Sequence, residues 1–147
     1  MNVLIVDDHD IVRRGIRDTL TDAFGEIRCG EAPDVSGAWE NLENSQWDAM
    51  ILDISLGGES GLEFLKDFRR RDADLPVLVL SMYPENLMAL RALKAGANGY
   101  LCKGLAAAEL PRAIREILEG KPHVSQQVTS EMMSQMAGSR DEAQSSL

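Results

Sequence analysis

Five times along this chain a short apolar run is followed by a segment of helical spacing. That alternation restricts the fold more than any other feature. The run Asn2-Val3-Leu4-Ile5-Val6 reads as a buried strand, and Val12, Ile16, Leu20 and Ala23 then recur near helical spacing. A weaker strand covers Ile27 to Gly30, and Val35, Ala38, Trp39 and Leu42 mark a second helix over Asp34 to Asn44. Ala49-Met50-Ile51-Leu52 is a third strand, ending at Asp53. Ser60-Gly61-Leu62-Glu63 is a capping box opening a third helix, with Leu62, Leu65 and Phe68 on its inner face. Val77-Leu78-Val79-Leu80 runs to Ser81, Leu87, Leu90 and Leu93 mark a fourth helix, and Gly96 stops it. Tyr100-Leu101-Cys102 is a short fifth strand before a fifth helix with Leu110, Ile114, Ile117 and Leu118, closed by Gly120-Lys121-Pro122. Such alternation predicts an α/β fold, a parallel sheet covered by helices on both faces.

Ligands of open parallel sheets sit beyond the carboxyl ends of the strands. By that rule residues far apart in sequence meet on one edge. Asp7 and Asp8 follow the first strand, Asp53 ends the third, Ser81 the fourth, and Lys103 the fifth. Three converging carboxylates repel one another. A hard divalent cation relieves this, and oxygen-only ligands favour Mg²⁺. The carboxylates of Asp8 and Asp53 and the backbone carbonyl of Ser55 can hold it, with Asp7 acting directly or through water. A carboxylate beside such an ion can also attack a phosphoryl group. Transfer then depends on positioning and on neutralising the equatorial oxygens. Mg²⁺, the Lys103 ammonium and the Ser81 hydroxyl supply three contacts for that purpose.

The length, 147 residues, suits one domain and a tail. A net charge of −9 makes the chain a poor ligand for a nucleic-acid backbone or an anionic membrane surface. No run is long enough to be a targeting segment or to span a bilayer. Cys29 and Cys102 form no CxxC pair, and both fall in expected strands, where buried reduced thiols are the expectation and the cytoplasm the natural compartment. After Gly120, Val124, Val128, Met132 and Met136 keep an interval that allows a short amphipathic helix, and Gly138 to Leu147 read as a linker. The division expected is 1–120 for the phosphoacceptor domain and 121–147 for the linker.

Between about Asn2 and Gly120 the chain resembles the receiver domain of bacterial two-component response regulators. The resemblance rests on Val6-Asp7-Asp8-His9, Ile51-Leu52-Asp53, Leu80-Ser81, Lys94-Ala95-Gly96-Ala97 and Gly99-Tyr100-Leu101-Cys102-Lys103, five pieces in order at strand ends. It implies a flavodoxin-like (βα)5 three-layer sandwich with sheet order 2-1-3-4-5. It implies that Asp53 takes a phosphoryl group from a sensor histidine kinase. It implies that Ser81 moves to bond the phosphate while the Tyr100 ring rotates inward, repacking the face of the fourth helix, fifth strand and fifth helix. A homodimer through that face on phosphorylation follows as an expectation.

More narrowly the chain looks like the NarL/FixJ class, which carries a LuxR-type helix-turn-helix. Asp7-Asp8-His9, Leu80-Ser81-Met82, Arg91 to Ala97 and Gly120 leading into Val124-Ser125 carry this. DNA binding would then belong to a C-terminal domain absent from this chain. Three positions depart from the family pattern. Gly57 stands where proline is usual four residues after the phosphoacceptor, so a looser loop is expected. Gly104 follows Lys103 where many receivers have a cis-proline. Pro111 lies inside the fifth helix, and Leu105 to Ala108 offer no good cap, which predicts a late start or a bend.

Each residue also has a plainer reading. Asp7-Asp8 alone is a polar turn and cap, Lys103 a solvated lysine, Ser81 a helix cap and Tyr100 a packed edge aromatic. Mg²⁺ prefers oxygen, so His9 reads as a local cap or surface residue. Arg69-Arg70-Arg71 suits a helix C-terminus, and Gly57-Gly58-Glu59-Ser60-Gly61 lacks the Lys-Ser/Thr ending of a P-loop. Against the switch stand two other functions. A haloacid-dehalogenase-type phosphatase would need D-x-D after the first strand and a cap domain. A degenerate docking module would not need the intact acidic set and Lys103.

Overall fold

The computed structural model describes residues 1–125, 128–131, 133 and 134. Its elements run β1 (Asn2–Val6), α1 (Asp10–Phe24), β2 (Arg28–Ala32), α2 (Val35–Asn44), β3 (Ala49–Asp53), β4 (Ser55–Leu56), β5 (Glu59–Ser60), α3 (Gly61–Arg71), β6 (Val77–Ser81), α4 (Glu85–Ala95), β7 (Gly99–Cys102) and α5 (Ala106–Leu118). The main sheet is parallel with order β2-β1-β3-β6-β7. Setting aside the β4–β5 hairpin, this is the flavodoxin-like order 2-1-3-4-5.

Period-two strands send alternate side chains to opposite faces. Leu4, Val6, Met50, Leu52, Val77 and Val79 pack with side chains of α2, α3 and α4. Val3, Ile5, Ile51, Leu78 and Leu80 pack with α1 and α5. Three layers result. β2 lies further along than its apolar residues suggested, because pairing from Asn2↔Arg28 to Val6↔Ala32 sets this edge strand's limits.

Several local expectations are revised. Ser60 caps α3 by accepting from the Glu63 N–H at 3.2 Å, but the Glu63 carboxylate takes Lys66 at 3.3 Å, so the box is half made. The glycines after Asp53 form a tight turn. Gly57 and Gly58 take positive φ (56° and 96°) at the tip of the β4–β5 hairpin, where two-residue turns need that conformation. The buried face of α4 is Ala89, Ala92 and Ala95, not its leucines, and Leu87 is left 60% exposed. Cys29 and Cys102 are free and half-buried rather than buried.

Pro111 neither delays nor ends α5, which starts at Ala106 and runs through it. A proline in a helix interior costs about 3 kcal/mol. Burial of Leu110, Ala113, Ile114 and Ile117 against β6 and β7 outweighs that, since each large aliphatic side chain contributes about 1.5–3 kcal/mol.

The segment after α5 docks on the sheet. The His123 N–H donates to the Asn98 carbonyl (3.1 Å), and the His123 carbonyl accepts from the Tyr100 N–H (2.9 Å), covering the free edge of β7. The His123 ring is buried, with Nδ1 2.7 Å from Glu116 Oε2. Val128 is also buried, and residues 128–131 are helical. Met132, Met136 and 138–147 lie outside the described residues.

Candidate functional site

Register fixes the edge where the site forms. Val6 pairs with Leu52, Asp53 with Leu80 and Ser81 with Cys102, so β1, β3, β6 and β7 end together. Asp7, Asp8, Asp53, Ser81 and Lys103 gather there, as the strand-end rule predicts.

Asp7 and Asp53 are buried, 1% and 4% exposed. Lys103 stands between them, its Nζ 2.9 Å from Asp53 Oδ2 and 3.0 Å from Asp7 Oδ2. The second Asp53 oxygen accepts from the Ser55 N–H at 3.0 Å. Carboxylate oxygens of Asp7, Asp8 and Asp53 and one ring nitrogen of His9 lie within 4.8 Å of one another. Asp8 Oδ1 is buried without an aligned hydrogen-bond donor, and Asp7 Oδ2 meets the Lys103 ammonium that it shares with Asp53. A buried acceptor left without a donor is costly in a folded protein. An oxygen-rich, net-negative centre with unused lone pairs is what a hard divalent cation takes up.

The charges at this centre are unevenly matched. Burial pushes the Asp53 carboxyl above its ordinary value; Lys103 and the Ser55 N–H pull the other way, and Asp7 adds to the rise. Burial alone would lower Lys103, but its bonds to Asp53 and Asp7 outweigh burial and hold it above its usual range. One cation is shared by two buried carboxylates, so the lysine gains more than Asp53 does.

Ser81 is fully buried at the end of β6, and its hydroxyl accepts from the Tyr83 N–H at 3.0 Å. It faces the β6–α4 turn and makes no bond to Asp53. Tyr100 is 1% exposed, its ring in the same core as Ala89 and Ala92 and its O–H donating to the Tyr83 carbonyl at 2.6 Å. The ring thus occupies the inward position that the family resemblance reserved for the switched arrangement. Met82, Tyr83 and Leu87 are exposed beside it.

Two supporting residues were not apparent from sequence. Arg13, buried in α1, donates to the Asp7 carbonyl and pairs with Asp10 and Glu31. It holds the turn that carries the acidic pair. An arginine on the inner stripe of an amphipathic helix was its only signal. Gly61 begins α3 directly against the end of β3, and its N–H donates to the Ile54 carbonyl at 2.9 Å. A glycine inside a capping box gives no hint of that approach. No helix among the described residues is long and apolar enough to cross a membrane.

The family described as response regulator receiver domain matches residues 3–115. The response regulator UvrY of Escherichia coli K12 is 36% identical over 132 residues, 90% of this chain and 61% of that protein. The chain therefore spans under two thirds of that relative's length. A LuxR-family two-component response regulator from Aurantimonas superposes with a TM-score of 0.79 at 31% identity, covering 92% of this chain and 97% of the other. The isolated receiver domain of Salmonella enterica RcsB, in its apo form, gives 0.79 at 29% identity, covering 91% and 98%. Phosphoryl acceptance is the general role of this family. With the parallel sheet, the strand-end carboxylates and these matches together, the chain belongs to the response regulator receiver domains, in their LuxR (NarL/FixJ) class.

Proposed function

We propose that Asp53 is the phosphoacceptor of a Mg²⁺-dependent signalling switch. The observation that carries this reading is Lys103 reaching Asp53 and Asp7 together at 2.9 and 3.0 Å, beside an Asp8 oxygen that no aligned donor satisfies. Asp8, Asp53 and the Ser55 carbonyl would hold Mg²⁺, with Asp7 direct or through water. The ion supplies neutralisation of phosphoryl oxygens and of the crowded carboxylates.

An Asp53 carboxylate oxygen bonds to phosphorus as the bond from phosphorus to the donor nitrogen of a sensor kinase's phosphohistidine breaks. The Lys103 ammonium, already within reach of Asp53, draws to a phosphoryl oxygen as it gains charge. Ser81 exchanges its bond with the Tyr83 N–H for one to the phosphoryl group. Loss of that turn bond alters the backbone on which the Tyr100 hydroxyl rests. Chemistry is confined to the domain's own phosphorylation and dephosphorylation. The wider reading places the chain in the cytoplasm, with residues 121–147 leading toward a DNA-binding domain beyond it.

Intact mass after incubation with acetyl phosphate and Mg²⁺, beside Asp53→Asn, tests the reading. One added phosphoryl group, absent from the variant, is the expected result. No adduct, with no Mg²⁺ binding by titration, would leave a phosphate-independent docking module. Phosphorylation also drives a homodimer in this reading. The exposed Met82, Tyr83 and Leu87 beside Tyr100 motivate it, because adjacent large apolar side chains are suited to burial against a second copy. Sedimentation velocity should show a faster species with the phosphorylated chain; an unchanged profile rules the dimer out.

A further inference from the structure

His9 occupies the N-cap of α1, yet its side chain makes no capping hydrogen bond. Its ring turns back toward the acidic pair. Nδ1 lies 3.1 Å from Asp8 Oδ1 and 3.3 Å from Asp7 Oδ1. The His9 N–H also donates to Asp7 Oδ1 at 2.9 Å, which holds the residue against the centre. The approach to Asp8 lacks hydrogen-bond alignment, and Asp8 Oδ1 is buried with no other donor.

Those separations have a simple meaning for a metal. Two ligands about 2.1 Å from one ion and at right angles stand about 3.0 Å apart. The ring nitrogen hydrogen-bonds Asp7 Oδ1 at 3.3 Å, and its separations from both carboxylates also match those of neighbouring ligands on one ion. The side chain of His9 is 65% exposed, so the ring can adjust to an ion without disturbing the core.

We propose that His9 is a nitrogen ligand of this centre, which thereby takes first-row transition ions such as Co²⁺ or Zn²⁺ more tightly than an all-oxygen site would. The inference rests on the reading of the acidic centre as a divalent-cation site. Imidazole suits Zn²⁺, Ni²⁺ and Co²⁺, whereas Mg²⁺ binds oxygen and keeps much of its water. His9 therefore sets which ion is preferred while leaving Mg²⁺ binding to the carboxylates. A transition ion held this way competes with Mg²⁺ for Asp8 and Asp53.

The test uses the whole metal-free chain and no phosphoryl donor. Co²⁺ is titrated by its visible absorption and Mg²⁺ by calorimetry, into the wild type and His9→Ala. Wild type should bind Co²⁺ roughly ten- to a hundred-fold more tightly than the variant. Mg²⁺ affinity should stay within about twofold, which also shows that the variant keeps its fold. Equal Co²⁺ affinity in the two proteins, with Mg²⁺ bound by both, overturns the role of His9 and leaves the phosphoacceptor reading standing. If neither ion binds either protein, the cation site itself is absent and both readings fail.

Discussion

Lys103→Met will destabilise the metal-free protein by about 3–5 kcal/mol, the range found when one partner of a buried ion pair is removed. Asp7 and Asp53 are almost fully buried, and Lys103 is the cation within 3.0 Å of both. Without it two carboxylates face each other unneutralised. Urea unfolding at neutral pH measures the loss; a variant within about 0.5 kcal/mol of wild type would show that solvent, not Lys103, screens the pair.

The pH dependence gives the prediction a second edge. Asp53 is already raised above 3.8 in the folded state, so folding binds its proton more tightly than the unfolded chain does. Its contribution is most favourable below 3.8 and is lost as pH rises through the folded value. Removing Lys103 takes away the main opposing influence, so the variant's deficit should shrink on acidification. Lys103 is raised above 10.5, and its stabilisation is full below that value and lost as pH climbs through the folded one. Asp53→Asn should do the opposite of Lys103→Met at neutral pH. It removes the costly charge and leaves Lys103 paired to Asp7, gaining on the order of 1 kcal/mol.

Gly61→Ala is the second large effect. A Cβ there would lie 2.2 Å from the Asp53 carbonyl oxygen and 2.8 Å from the Ile54 Cα. Both are backbone atoms at the end of a buried strand, so no side chain can swing aside. Either α3 or the end of β3 must shift, at a cost of about 2–3 kcal/mol. Because Asp53 itself would move, phosphoryl uptake from acetyl phosphate should fall by more than stability alone explains. Gly104→Ala is the control, since a Cβ at that position meets nothing within 4 Å. Uptake by Gly61→Ala at the wild-type rate would mean the strand end tolerates displacement.

The element order and the acidic edge were legible because both follow from local pattern. Period-two and helical spacing mark each strand and helix without reference to any other. The strand-end rule then carries Asp7, Asp8, Asp53, Ser81 and Lys103 to one place whatever the details of packing. Edges between elements were less legible. β2 takes its limits from pairing with β1, and Ile27 lies outside it although apolar.

What the tertiary structure alone decided were contacts between segments distant in sequence. Leucine spacing could not say that α4 buries its alanines, since that depends on the side chains of the core they share, Tyr100 among them. Nor could it say that α5 would run through Pro111, because the burial that outweighs the lost bond is supplied by β6 and β7. The docking of His123 on β7, the support of Asp7 by Arg13 and the contact of Gly61 with Asp53 have the same origin. The sequence by itself determined which residues meet at the strand-end edge, since their types and strand-end positions are local facts. How those residues are buried, paired and oriented was left to close packing, in which each side chain's place depends on neighbours that only folding brings together.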